Sequence, residues 1–60
     1  PDDVYVIEVK FDRSAQEAMD QIREKGYAEK YRASGKRITL IGMNFSSEKR
    51  QIGDVLVEEA

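Results

Sequence analysis

The sequence predicts a single small α/β domain, ordered β-α-β-β, in which one helix covers a mixed three-stranded sheet. Three observations predict it. Val4-Tyr5-Val6-Ile7-Glu8-Val9-Lys10-Phe11 is dense in β-branched and aromatic residues, the composition of a strand. A helix-start signature at Ser14 is followed by apolar residues at helical spacing. Two further β-type runs, split by a polar turn, close the chain.

In the first strand, side chains alternate between faces. Tyr5, Ile7, Val9 and Phe11 share one face; Val4, Val6, Glu8 and Lys10 share the other. Both faces begin apolar, so the strand is expected to be covered on both sides for most of its length. Asp12 and Arg13 leave it. Ser14-Ala15-Gln16-Glu17 fits a capping box, in which a Ser hydroxyl accepts a free N–H and the Glu reaches back. Ala15, Ala18, Met19 and Ile22 then form the apolar stripe of an amphipathic helix. Gly26 weakens or kinks that helix. Tyr27, Ala28 and Tyr31 continue the pattern to about Ala33, and Ser34-Gly35 is its stop.

The second strand is expected over Arg37–Met43, with Ile38, Leu40 and Gly42 on one face and Thr39, Ile41 and Met43 on the other. It too is apolar on both sides, as in a covered sheet. Asn44 to Lys49 reads as a turn. A third strand is expected over Gln51–Glu58, with Gly53-Asp54 marking a bulge. A helix between the first two strands implies parallel pairing and a right-handed crossover. The third strand returns as the antiparallel hairpin partner of the second.

With 60 residues the chain is at most one small domain, and its core is marginal by itself. It has no Cys and no His, which excludes disulfides, thiolate metal sites and imidazole chemistry. Any metal must be held by oxygen, which favours Mg²⁺ or Mn²⁺. A net charge of −2 with 37% charged residues lacks the basic excess usual in nucleic-acid binders. No apolar run approaches the ~20 residues of a membrane span, and no signal peptide is visible. A cytoplasmic location is expected. The chain enters its first strand almost directly from Pro1, without an initiator Met, and reads as a piece of a longer parent.

Open α/β sheets place their sites at the carboxyl ends of the strands. Glu8 and Lys10 stand there, on one strand face. Phosphodiester hydrolysis needs a divalent ion, an activated water and stabilisation of phosphate charge. Glu8 suits the metal, the Val9 carbonyl is a further ligand, and Lys10 suits the phosphate and the water. Glu-x-Lys arises easily in so charged a chain, and the plain alternative is a solvated strand end with a weak surface ion pair. Its position after an apolar run favours the functional reading. On the helix, Gln21, Lys25 and Tyr27 are candidates for contacts to metal-bound water or phosphate. The alternative for them is ordinary charged helix surface and a Tyr packed on the sheet. Ser46 to Arg50 reads as a solvated hairpin loop, and Tyr27 and Tyr31 as covers of the core.

Taken together, Ile7-Glu8-Val9-Lys10, Ser14-Ala15-Gln16-Glu17-Ala18, Gln21-Ile22, Lys25-Gly26-Tyr27 and Gly42-Met43-Asn44-Phe45-Ser46 resemble the end of a PD-(D/E)XK nuclease-superfamily domain. The branch it looks most like follows an AAA-type ATPase domain in many bacterial proteins, notably of Bacteroidetes. The resemblance spans nearly the whole chain. It implies that residues 1–60 are a partial nuclease-like domain, a β-α-β-β fragment of that fold. It further implies that Glu8 is a metal carboxylate, Lys10 the catalytic lysine, and Gln21 and Tyr27 the Gln and Tyr of the following helix. The implied cofactor is Mg²⁺ or Mn²⁺ in the parent, and the implied partners are nucleic acid and the adjoining ATPase domain.

The family's first metal-binding Asp lies on a strand upstream of Glu-x-Lys. Here only Asp2 and Asp3 precede the strand, and five extended residues separate Asp3 from Glu8 by about 17 Å. The segment alone is therefore expected to be inactive and to hold no metal. Three readings follow: part of a metal-dependent nuclease, a non-catalytic binding or regulatory module on the same fold beside an ATPase domain, or an unrelated structural domain. An unpaired first strand and a small core also predict a homodimer along or near that strand.

Overall fold

The computed structural model describes residues 2–60. Its elements are β1 (Asp3–Phe11), α1 (Ala15–Glu24), α2 (Glu29–Arg32), β2 (Arg37–Ser46) and β3 (Gln51–Glu59). The sheet order is β1-β2-β3. β1 runs parallel to β2, with Val6 opposite Leu40 and Glu8 opposite Gly42. β3 runs antiparallel to β2, with Ile41 opposite Val57 and Met43 opposite Val55. The mixed three-stranded sheet and its main helix match the α/β expectation.

α1 begins as its sequence dictates. Ser14 accepts the Glu17 N–H at 3.0 Å, and Glu17 accepts the Ser14 N–H at 3.1 Å, which completes the capping box. The stripe Ala15, Ala18, Met19 and Ile22 is fully buried against the sheet, where Ile38 and Leu40 of β2 meet it. Val4 and Val6 of β1, Tyr27 and Leu56 of β3 close the margins of this core. Gly42 lies directly under the helix: a Cβ there would stand 2.7 Å from the Ala15 carbonyl oxygen. Only a glycine lets α1 sit this low on β2.

Three expectations need correction. The helix does not run on to Ala33. It ends at Glu24, Gly26 adopts φ +64°, and α2 is a separate single turn. A left-handed residue cannot continue a right-handed helix, so the expected kink is a full break. β2 also extends through Asn44, Phe45 and Ser46, which were expected in the turn. Tertiary pairing holds them: Lys10 is opposite Asn44, Phe11 is opposite Phe45, and Asp12 N–H donates to the Phe45 carbonyl at 2.8 Å. The turn shrinks to Ser47–Arg50, with Arg50 at φ +54°.

The third correction concerns β1. It is covered on one face only. Val4, Val6, Glu8 and Lys10 lie half-buried beneath α1, while Tyr5, Ile7, Val9 and Phe11 face outward. Their neighbours Ile41, Met43 and Phe45 of β2, and Ile52, Val55 and Val57 of β3, share that outward face through the observed register. Apolar character on two faces dictated burial on both, but these 59 described residues contain helix enough for one. The expected bulge is present: Gly53 and Asp54 together oppose Asn44.

Candidate functional site

Glu8 and Lys10 occupy alternate positions near the carboxyl end of β1, so both project toward α1. α1 rests on β2 at Gly42, directly beside Glu8 in the pairing. That seating hangs the flank of α1 over β1. Gln21 lies on this flank, and its Nε2 donates to Glu8 Oε2 at 3.2 Å in a half-buried setting. The bond joins residues 13 apart in sequence and fixes the carboxylate's direction. Gln21 stands in the second half of α1.

Lys10 lines a crevice of about 290 Å³ with Gln21, Lys25, Arg13, Glu17, Asp20 and Glu24. Arg13 is held by Glu17 at 2.8 Å. Among the described residues neither Lys10 nor Lys25 has an ion-pair partner. Tyr27 is elsewhere: its ring packs on the core, and no hydrogen bond among the described residues joins it to Glu8, Lys10 or Gln21. The structure thus brings Glu8, Lys10 and Gln21 together and leaves Tyr27 apart.

The Val9 carbonyl can be placed from the ladder. Arg37 N–H donates to the Asp2 carbonyl, and Asp12 N–H to the Phe45 carbonyl, both at 2.8 Å. Even-numbered residues of β1 therefore turn their backbone groups to β2. Odd-numbered ones, Val9 included, turn theirs to the open edge. Asp3 lies at the far end of β1 on the opposite face, 3.9 Å from Arg37, and has no access to Glu8. Among the described residues, no group of three or more His, Cys, Asp or Glu side chains converges on one point.

A second polar cluster joins the β1–α1 loop to the β2–β3 hairpin. Asp12, at φ +60°, accepts the Ser47 hydroxyl and, at 3.0 Å, the Ser47 N–H. These two bonds hold its carboxyl below the ordinary 3.8. Asn44 Nδ2 donates to the Arg13 carbonyl at 2.6 Å. Glu17 is likewise held below its ordinary 4.5, chiefly by the Ser14 N–H and then by Arg13. This clasp anchors the loop that follows Lys10. The sequence reading missed it, because partners 31 and 35 residues apart leave no local signal. Asp20 and Glu24 were missed too, although Glu17, Asp20, Gln21 and Glu24 recur at helical spacing.

A family model for the PD-(D/E)XK nuclease superfamily matches residues 1–55. The chain belongs to the PD-(D/E)XK nuclease superfamily. It is also 42% identical, over 57 residues, to an uncharacterized protein in the vnfD 5′ region of Azotobacter chroococcum mcd 1. That match covers 92% of this chain and 11% of the relative, so the chain spans about a tenth of the relative's length. No solved structure matches. Ile7-Glu8-Val9-Lys10 and Gln21, whose amide is bonded to the Glu8 carboxylate, lie within the matched residues. No helix of the described residues is long and apolar enough to cross a membrane.

Proposed function

We propose that this segment supplies the Glu-x-Lys strand and its supporting helix to a Mg²⁺- or Mn²⁺-dependent nuclease domain that hydrolyses phosphodiester bonds. The observation that carries the reading is the Gln21–Glu8 hydrogen bond with Lys10 on the same face. Glu8 Oε2 is engaged by Gln21, and Glu8 Oε1 accepts no bond from the described residues. A hard oxygen donor beside the edge-facing Val9 carbonyl fits Mg²⁺ in kind. Two donors are too few for its octahedral shell, and the family pattern adds an Asp from outside these residues. The ion, when bound, polarises the phosphoryl oxygen and acidifies water.

In this reading Glu8 and Val9 hold the metal, Lys10 offsets phosphate charge, and Gln21 aims the Glu8 carboxylate. Tyr27 belongs to the set through the family pattern, and its packed position suits support of the turn after α1. The segment alone is inactive. Nucleic acid is the partner of the parent, an ATPase domain adjoins it, and the setting is cytoplasmic. The second reading is a non-catalytic binding or regulatory module with a degenerate site. The observation that favours it is that, among the described residues, no group of three or more carboxylates converges on one point.

The test is cleavage of plasmid or oligonucleotide, with Mg²⁺ or Mn²⁺, by the segment and by a longer parent that restores the upstream Asp strand. Cleavage by the parent only, abolished by Glu8→Ala and by Lys10→Ala, is expected. Cleavage that survives Glu8→Ala overturns the catalytic assignment. A parent that binds nucleic acid without cutting it supports the second reading.

A further inference from the structure

The charge of this chain is unevenly spread. Residues 25–37 hold Lys25, Lys30, Arg32, Lys36 and Arg37 against one acid, Glu29, a local excess of positive charge in a chain of net −2. Such an asymmetry is the electrostatic footprint of an anionic partner. The core does not use these side chains: every residue from Glu29 to Arg37 is exposed, and α2 buries none of its own. Arg32 pairs with Glu29 at 2.8 Å and Arg37 with Asp3 at 3.9 Å. Lys25, Lys30 and Lys36 have no ion-pair partner among the described residues. Arg32, Lys36 and Arg37 line one crevice, of about 220 Å³, in which Glu59 is the only acid.

This basic segment is continuous with the Glu-x-Lys site. The crevice that Lys10 lines follows the flank of α1, from Arg13 before its start to Lys25 at its end. Two of the acids on that flank are engaged: Glu17 holds Arg13 and the Ser14 N–H, and Asp20 accepts the Gln16 amide at 3.0 Å. Glu24 is the third. β1 and β2 are parallel, so α1 runs back toward the amino end of β1, and the chain passes through the basic segment before Arg37 pairs opposite Asp3. From Lys10 to Asp3 the strand covers about 23 Å, about seven nucleotide steps of a duplex strand.

We propose that Lys25, Lys30 and Lys36, with Arg32 and Arg37, form a track for the phosphate backbone of nucleic acid, leading away from Glu8 and Lys10. The proposal rests on the nuclease reading and extends it from the cut bond to the flanking backbone. Its start in the crevice of Lys10 selects a phosphate chain over an acidic protein surface. Lysine is a point charge on a flexible stem, so the track supplies affinity and salt dependence and reads no bases.

The test uses the longer parent without Mg²⁺ or Mn²⁺, so that nothing is cut. Probes of duplex DNA, single-stranded DNA and RNA, about 30 nucleotides long, exceed the span of the track. Fluorescence anisotropy over a range of KCl gives Kd for the tightest probe. Lys30→Gln with Lys36→Gln is expected to weaken binding about 10- to 100-fold near 0.1 M salt and to reduce the salt slope by about 2. Lys30→Arg with Lys36→Arg keeps the charges and is expected to keep both values, which separates charge from any loss of fold. An unchanged affinity and slope in the Gln pair overturns the track and leaves the nuclease reading standing. An equal loss in the Gln and Arg pairs also overturns it. A parent that binds none of the probes overturns the track and the nuclease reading together. A parent that binds through these lysines but does not cut when Mg²⁺ is restored keeps the track and removes the catalytic assignment.

Discussion

A Cβ on Gly42 would stand 2.8 Å from the backbone nitrogen of Met19, closer than any such contact in a packed core. The helix and the central strand therefore touch backbone to backbone. Because Gly42 is also the pairing neighbour of Glu8, the same contact sets the height of Gln21 above β1.

Gly42→Ala is expected to lift α1 and to cost about 1–3 kcal/mol, the usual penalty of forcing volume into a filled core. Urea unfolding followed by circular dichroism measures it. The Gln21 side-chain amide signals in NMR should shift as the bond to Glu8 lengthens. An unchanged unfolding midpoint contradicts the close approach.

Gln21→Ala is expected to leave the fold in place, because Gln21 lies on the flank of α1 and not in its buried stripe. In an active parent it should lower kcat by roughly 10-fold or more, less than the 10²–10⁴-fold typical of losing a proton-transfer group. Gln21→Glu should be worse, since it sets a second negative charge 3.2 Å from Glu8. A parent whose cleavage is indifferent to both changes has no need of this bond.

Acid should loosen the loop–hairpin clasp. Asp12 and Glu17 are held below their ordinary values by hydrogen bonds to their charged forms. Such groups stabilise the fold above their unfolded values of 3.8 and 4.5, and that contribution is lost as pH falls through the lower folded values. Ser47→Ala removes the largest cause at Asp12, so its titration should move back up toward 3.8. Carboxyl-carbon NMR titration reads this directly, and an unmoved Asp12 curve rules the clasp out.

Ile22→Ala is expected to cost about 2–5 kcal/mol, the range for emptying a fully buried aliphatic site. In a domain of 60 residues that approaches the whole stability, so the variant should be largely unfolded at room temperature by circular dichroism. A cooperative, near-native melting curve excludes this packing.

The sequence by itself determined the order of elements, the parallel and antiparallel pairing, the Ser14 cap, the buried stripe of α1, the bulge at Gly53-Asp54 and the shared face of Glu8 and Lys10. Each is written in residues close together in the chain: a period of two, a period near four, a Ser three residues before a Glu. Tertiary structure alone decided that the other face of β1 is left uncovered by these residues, how far β2 runs past Met43, and the hydrogen bond by which Gln21 meets Glu8. Both faces of β1 are apolar, so no periodicity can choose between them. The choice falls to α1, which can approach the sheet only where Gly42 offers no side chain. Asn44 and Phe45 have turn-like neighbours in sequence but strand-like ones in space, and hydrogen bonds to a distant strand outweigh local preference. The carboxylate of Glu8 and the amide of Gln21 come within hydrogen-bond reach only after the helix has settled on that glycine.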